Sequence, residues 1–390
     1  MEVKVGLEIH QRLNTKRKLF CNCLTYGSEN KIYEIRRKLH PVPSELGKID
    51  VAAQFEQLRD REFVYQIYEN TVCDVCCDEE PPHEINKDAL EIALKICKIF
   101  DAKVVDEVHV MRKIVIDGST PMGFQRTAII GMNGFVETSF GRVKIPTICL
   151  EEESAGILGE IERAETGVFR LDRLGIPLIE IATEPKMKNG KETKEVAERI
   201  GLALRIAGVA MRGIGTIRQD VNISVENGAR VEIKGVQDLN LIEDVVENEI
   251  KRQIGLMEIC KIIEERLNKI KKVNKKIEEK IYDVTDIFKD TGCRFVRESV
   301  WRGEKVFCLL LRGMNGILGK EIFPGYRYGS ELVGYARSVG IGGIIHSDEN
   351  LSKYGFGEEI YELEKRIKKE EEDCFVLAIG NENAKKALSL

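Results

Sequence analysis

The sequence predicts an α+β protein of two domains, and three observations predict it. Short β-branched runs recur through residues 1 to about 240. Helical patterns interrupt them without the strand–helix alternation of a parallel dinucleotide-binding fold, and the composition shifts beyond Tyr282.

The elements follow in order. Val3, Val5, Leu7 and Ile9 alternate with polar positions, so Glu8 and His10 point to one face of a first strand. Leu90, Ile92, Ala93, Ile96 and Cys97 recur at helical spacing across Lys87 to Phe100. Val104-Val105, Ile114-Val115-Ile116 and Val143-Lys144-Ile145 read as strands, and Lys191 to Ala207 as a second helix. Residues 216–225 and 229–234 alternate apolar with polar side chains, which predicts a hairpin around Glu226-Asn227-Gly228 with Asp220, Asn222 and Ser224 on one face. From Ile242 to Ile281 a charged helix carries the stripe Ile242, Val245, Val246, Ile250, Ile254 and Met257. Its basic end, Lys269 to Lys276, reads as a solvated helix face, with an RNA-backbone contact as the alternative. Beyond it, glycine-dense turns at 312–319 and 340–343 precede a helix from Glu358 to Glu372 and a strand at 375–379. The expected division is residues 1–282 and 283–390.

The chain has 390 residues, 43% hydrophobic and 32% charged, with a formal net charge of -5. That balance speaks against nonspecific nucleic-acid binding over the whole surface, although a local basic patch remains compatible with it. No apolar run reaches the length of a membrane span, and strand-like sequence starts at Val3 with no signal peptide read before it. A cytoplasmic protein with no membrane partner is expected.

Eleven cysteines are many for such a compartment, where disulfides are rare. Cys21-Asn22-Cys23 and Cys73-Asp74-Val75-Cys76 form two knuckles, with Cys77 adjacent, and predict a four-thiolate structural zinc site. Cys97, Cys149, Cys260 and Cys308 read as buried free thiols.

Three acidic patches carry the chemistry: Glu8 with His10, Glu151-Glu152-Glu153, and Glu180 within Pro177-Leu178-Ile179-Glu180-Ile181. A lone carboxylate in an apolar run is costly to bury unless it is paired or binds a metal. Three such patches predict oxygen and imidazole ligands gathered around a hard cation, magnesium with a phosphate-bearing substrate. Arg112-Lys113 and the segment 117–127 read as a loop with basic residues at both ends, suited to neutralising phosphates. No Walker A pattern occurs, so an ATP site here is not of the P-loop type.

These residues carry a resemblance. Gly-Leu-Glu-Ile-His at 6–10, Cys-x-Cys at 21–23, Phe124-Gln125-Arg126-Thr127, Leu150-Glu151-Glu152, residues 171–185 and the block from Gly215 to Val236 resemble the B/E subunits of tRNA-dependent amidotransferases. Glu79-Glu80-Pro81-Pro82 and the C-terminal region resemble the E type of archaeal glutamyl-tRNA(Gln) amidotransferases. The resemblance implies a cradle-type catalytic domain, and for residues 283–390 an insertion domain similar to that of bacterial-type aspartyl-tRNA synthetases. It implies that ATP phosphorylates the side chain of Glu-tRNA(Gln) and that ammonia, supplied by an asparaginase-like glutaminase subunit, then displaces phosphate. It further implies His10, Glu151 and Glu180 as magnesium ligands with Glu8 close by, and Arg112 and Lys113 near phosphate. Asp220, Asn222, Glu232 and Lys234 would line the reacting site or an ammonia path. The intact Cys73–Cys76 knuckle is closer to zinc-bearing B subunits. Because E subunits continue into helical and tail domains, the resemblance also implies a separate chain carrying that half, or a fragment. The competing expectation is a non-catalytic RNA-binding or assembly scaffold.

Overall fold

A computed structural model of the protein describes residues 1–27, 29–43, 46–58, 60–158, 166–272 and 280–390. It divides into two compact units, Met1–Glu247 and Asn248–Leu390.

The first unit is built on an eight-stranded sheet. Its strands run in the order Val231–Val236, Ile217–Val225, Val3–Arg12, Pro177–Ala182, Gly141–Glu152, Phe124–Thr138 and Lys103–Val104, with Val110–Ile114 also paired to Phe124–Thr138. Every pairing within it is antiparallel. One face carries Leu7, Ile9, Ile148, Leu150, Ile179 and Ile181, none more than 1% exposed. Helices Lys87–Ile99 and Gly190–Ile206 pack on the sheet. A Cβ at Gly131 would stand 2.5 Å from Cys97 Sγ, so glycine lets the first helix approach the strand that closely. The opposite face presents Glu8, His10, Glu151, Glu180 and Asp220. That division is the alternation expected of antiparallel strands with one face on the core.

A four-stranded sheet lies beside it in the order Lys31–Arg37, Glu62–Tyr68, Thr166–Arg170 and Gly156–Ile157. The pair Glu62–Tyr68 with Thr166–Arg170 is parallel. Phe63, Tyr65 and Phe169 form its apolar centre, and Cys21, Cys23 and Cys76 pack into the same cluster.

The second unit has its own sheet, Ile281–Asp283, Lys305–Leu311, Cys374–Gly380 and Ile345–His346 in that order. Helices Arg294–Trp301, Tyr328–Ser338, Glu359–Ile367 and Glu382–Ser389 accompany it. The Asp348 carboxylate accepts backbone N–H bonds from Gly316, Leu318 and Gly319 at 2.9, 2.8 and 3.1 Å, which accounts for the glycine-dense turn.

Several expectations change. The long helix runs Leu239–Lys272, and Ile281, expected at its end, opens a strand. Residues 273–276 of its basic end lie outside the described residues. The division between units falls inside this helix at Glu247/Asn248, rather than at 282/283. Its later turns belong with the second unit: Ile259 packs with Ile317 and Ile322, and Arg252 pairs with Glu331 at 2.5 Å. The helix expected over Glu358 to Glu372 is Glu359–Ile367, stopped by Lys368 in the left-handed conformation at φ 53°. Cys260, expected buried, is exposed. The basic-ended loop is in fact a pair of strands, with only residues 115–123 connecting them.

Candidate metal-bearing active site

Neighbouring strands bring the three acidic patches together. Glu8 lies opposite Asp220 on one side and Ala182 on the other, and His10 opposite Glu180 and Arg218. Glu151 lies opposite Leu178, one pleat from Glu180. Facing residues share a sheet face, so register alone directs these side chains to a common surface.

His10, Glu151 and Glu180 each offer a ligand atom within 4.8 Å of the others. His10 Nε2 and Glu180 Oε2 are 3.1 Å apart, while His10 Nδ1 is buried with no hydrogen-bond partner. Glu151 is 2% exposed and accepts from Gln125 Nε2 at 3.4 Å. Burial raises Glu151 above the ordinary carboxylate value, and the charge of Glu180 adds to the effect. For Glu180 itself burial pushes upward, but the His10 hydrogen bond and the His10 and Lys113 charges outweigh it and hold the group below its ordinary value. Lys113 Nζ stands 3.9 Å from Glu180 Oε2.

Glu8, Asp220 and Glu232 form a second group on the same face, again within 4.8 Å of one another. Asn222 Nδ2 donates to Glu8 Oε1 at 3.3 Å, and the Gly235 N–H donates to Asp220 Oδ1 at 2.8 Å. Lys234 Nζ lies 3.0 Å from Glu232 and 3.6 Å from Asp220. Burial raises Glu8, followed by the charges of Glu180 and Glu232. The hairpin that places these residues turns at Asn227, whose φ of 64° suits asparagine.

Arg112 does not join them. Adjacent strand residues point to opposite faces, so Arg112 and Lys113 leave their strand on opposite sides. Arg112 instead stacks over Phe124 at 5.7 Å, on the face where Arg126 binds Glu152 at 3.1 Å. The same alternation splits the acid triplet. Glu151 faces the His10 group and Glu152 the buried Arg126, while Glu153, 1% exposed, is held by Arg12, Arg218 and Arg173 at 2.7, 3.2 and 3.3 Å. Nothing in the run Glu-Glu-Glu announces three environments. The strand period, applied residue by residue, would have separated the first two.

The four cysteines converge apart from that face. Cys21, Cys23, Cys73 and Cys76 offer sulfurs within 4.8 Å of one another, a possible metal site, and Cys21 Sγ and Cys76 Sγ are 3.7 Å apart. Hydrogen bonds from Cys21, Cys23 and Cys73 hold Cys76 well below the ordinary thiol range, with the Lys18 charge assisting. Those from Cys21 and Cys23 bring Cys73 down to about 6. Lys18, 1% exposed, donates to Leu171 O at 3.0 Å and to Cys76 Sγ at 3.6 Å. Nothing local in the sequence marks Lys18 as a buried lysine.

An antiparallel sheet whose polar face gathers imidazole and carboxylates, beside a four-cysteine cluster, defines a protein with two groups of side chains that could hold a metal ion, one open and one enclosed. The chain belongs to the GatB/GatE catalytic domain family, which matches residues 3–292. It is 47% identical over 385 residues to the E subunit of the glutamyl-tRNA(Gln) amidotransferase of Methanocaldococcus jannaschii, covering 98% of this chain and 60% of that protein. The corresponding protein of Methanopyrus kandleri is 49% identical over 389 residues, covering 99% and 60%, and that of Archaeoglobus fulgidus 47% over 383 residues, covering 97% and 60%. The chain thus spans about 60% of the length of these curated relatives. The second unit is included in the match to these relatives. Among the described residues no helix is long and apolar enough to cross a membrane.

Proposed function

We propose that this chain carries the kinase and transamidase centre of a glutamyl-tRNA(Gln) amidotransferase, converting Glu-tRNA(Gln) to Gln-tRNA(Gln) with ATP. The observation that carries this reading is the convergence of His10, Glu151 and Glu180 beside Lys113. The donor set suits magnesium: two carboxylates, and an imidazole whose bond to Glu180 occupies the place a cation would take. Bound there, magnesium would neutralise phosphate oxygens as the γ-phosphoryl group moves to the substrate carboxylate. Lys113 supplies a further positive charge to the same oxygens. Glu8, Asp220, Glu232 and Lys234 form a polar file for incoming ammonia, and Glu8, raised by burial, is suited to take a proton from ammonium. Ammonia then attacks the acyl phosphate and phosphate leaves.

The cysteine cluster suits zinc, since two thiolates on a tetrahedral ion with bonds of about 2.3 Å sit roughly 3.8 Å apart, against 3.7 Å for Cys21 and Cys76. Four thiolates leave no open position, so its role is structural. The partner is an asparaginase-like glutaminase subunit supplying ammonia. Residues 283–390 correspond to the insertion domain shared with bacterial-type aspartyl-tRNA synthetases, and the compartment is the cytoplasm.

The test incubates the chain with ATP, magnesium and Glu-tRNA(Gln), with and without the C-terminal half of a longer relative added in trans. A γ-phosphoryl-Glu-tRNA intermediate is expected, and Gln-tRNA once ammonia is added. Its absence under both conditions leaves a non-catalytic RNA-binding scaffold as the better reading.

A further inference from the structure

Three neighbouring strands supply the ligand atoms of the His10–Glu151–Glu180 group, and Glu151 comes from the outer one, Gly141–Glu152. A glutamate leaves its strand on three rotatable bonds. The last of them, which turns the carboxylate plane, has only a broad preference. Ordering that carboxylate opposes cation binding unless a neighbouring group has ordered it beforehand. The next strand out, Phe124–Thr138, carries such a group. Thr127 faces Glu151 across the two strands and hydrogen-bonds its carboxyl. Gln125, two residues earlier and so on the same side of its strand, is the cross-strand partner of Lys113. It is 8% exposed, and its Nε2 lies 3.4 Å from Glu151 Oε2 and 2.6 Å from the backbone oxygen of Glu152.

Those two contacts define the chemistry needed at position 125. A side-chain amide nitrogen carries two protons, so it serves two acceptors at once. The shorter bond ties the amide to the backbone of the strand that bears Glu151, and the longer one ties the carboxylate to the amide. Glutamate at 125 would set a third acceptor against these two, and an apolar side chain would leave both without a donor. Satisfying a buried backbone carbonyl requires only the first bond. The second falls on a carboxylate of the cation group, which gives the amide a role beyond backbone satisfaction.

We propose that Gln125 is a positioning residue of the cation centre: its amide, anchored on the Glu152 carbonyl, sets the rotation of the Glu151 carboxylate before the cation arrives. It touches neither cation nor substrate and acts through Glu151. The proposal rests on the proposed function for placing a cation at this group, but binding reads the effect of Gln125 without turnover.

Manganese replaces magnesium as the probe, because its paramagnetism reports binding to the full chain directly. Gln125→Met keeps the side-chain length and removes the donors, and it should weaken manganese binding about tenfold. Glu151→Asp keeps the charge but withdraws the carboxylate from the amide by one methylene. In that background Gln125→Met should change affinity by less than about twofold, since a residue that acts through another adds nothing once its target is out of reach. Equal losses in the two backgrounds overturn the proposal, and so does unaltered affinity in a folded Gln125→Met. A merely structural glutamine would lower Tm and leave the affinity of the folded protein alone. Gln125→Asn, whose amide is one methylene short, repeats the measurement should Gln125→Met fail to fold, and the same loss is expected. Affinity indifferent to both Glu151→Asp and Gln125→Met removes the proposal together with the cation centre. If Gln125-dependent binding persists while no phosphorylated Glu-tRNA forms, the reaction assignment fails and the positioning role stands. If the intermediate forms and Gln125→Met binds manganese normally, the positioning role fails and the reaction stands.

Discussion

Two clusters of metal-type donors in the first unit solve opposite problems. The four sulfurs come from two short loops and pack into an apolar cluster with Tyr65 and Phe169. The imidazole and carboxylates come from long strands, on the polar face of a sheet whose other face is closed by aliphatic side chains. Loop donors can wrap an ion completely, whereas strand donors arrive from one side and leave the other open to substrate. The enclosed cluster should hold the fold and the open one should hold the reaction, so their variants should fail in different ways.

The largest effect is expected for Cys76→Ser. Three thiolates beside a buried hydroxyl cannot retain the ion, and the loops lose what joins them. Zinc measured per chain by mass spectrometry should fall from about one toward zero, and stability by about 3 kcal/mol or more in urea unfolding. Magnesium affinity should follow only as far as the protein unfolds. Retention of full stability without zinc would erase the contrast between the clusters.

Glu151→Gln should do the reverse. The variant removes a ligand and a carboxylate that burial disfavours, so formation of γ-phosphoryl-Glu-tRNA should drop about 10³-fold while the cation-free protein stays as stable or gains. Urea midpoint and single-turnover phosphorylation together check this. Parallel losses in both would mean that Glu151 is part of the structural frame.

Much of this arrangement is legible in the chain itself. Glu8 and His10 share a face because side chains on a strand alternate, and Glu180 within Leu178-Ile179-Glu180-Ile181 can be recognised as a carboxylate in need of a partner. The hairpin carrying Asp220 and Glu232 follows from turn chemistry at Asn227-Gly228. The remaining features depend on non-local pairing. That Glu153 meets Arg12, Arg173 and Arg218 requires knowing which strands are neighbours, information no local pattern holds. Arg112 and Lys113, taken together as basic loop residues, separate once their segment is a strand. The end of the long helix depends similarly on tertiary contacts: its stripe reads as one continuous helix, yet its later turns pack with Ile317 and Ile322.

A gentler probe is pH. Glu8 and Glu151 are raised above their ordinary value of 4.5, so the native state holds their protons longer than the unfolded state. Their stabilising contribution is complete below 4.5 and is lost as pH rises through the folded-state values. Glu180 and Glu153 act in the opposite sense, contributing above 4.5 and failing as pH falls. A divalent cation offsets the repulsion that burdens Glu8 and Glu151 once they ionise. The gain in Tm on adding magnesium should therefore be a few degrees larger at pH 8 than at pH 5, and Glu151→Gln should flatten the difference. Equal gains at both values would place the bound cation away from these carboxylates.

The smallest effect is expected at Lys18. Four thiolates around a dication carry two excess negative charges in a nearly dry cluster, and the Lys18 ammonium, 3.6 Å from Cys76 Sγ, is the cation placed to offset them. Its second bond, to Leu171 O at 3.0 Å, orients it toward the sulfur. Lys18→Met keeps most of the aliphatic volume and removes the charge. Zinc transfer to a competing chelator should become about tenfold more favourable. Because Cys76 is held low partly by Lys18, the variant's metal-free thiols should also react more slowly with a thiol reagent at neutral pH. Magnesium response should be untouched, since Lys18 serves the enclosed cluster alone. A variant that keeps zinc as tightly as the unaltered chain would make Lys18 a packing residue and leave the sulfur charge balanced by backbone dipoles.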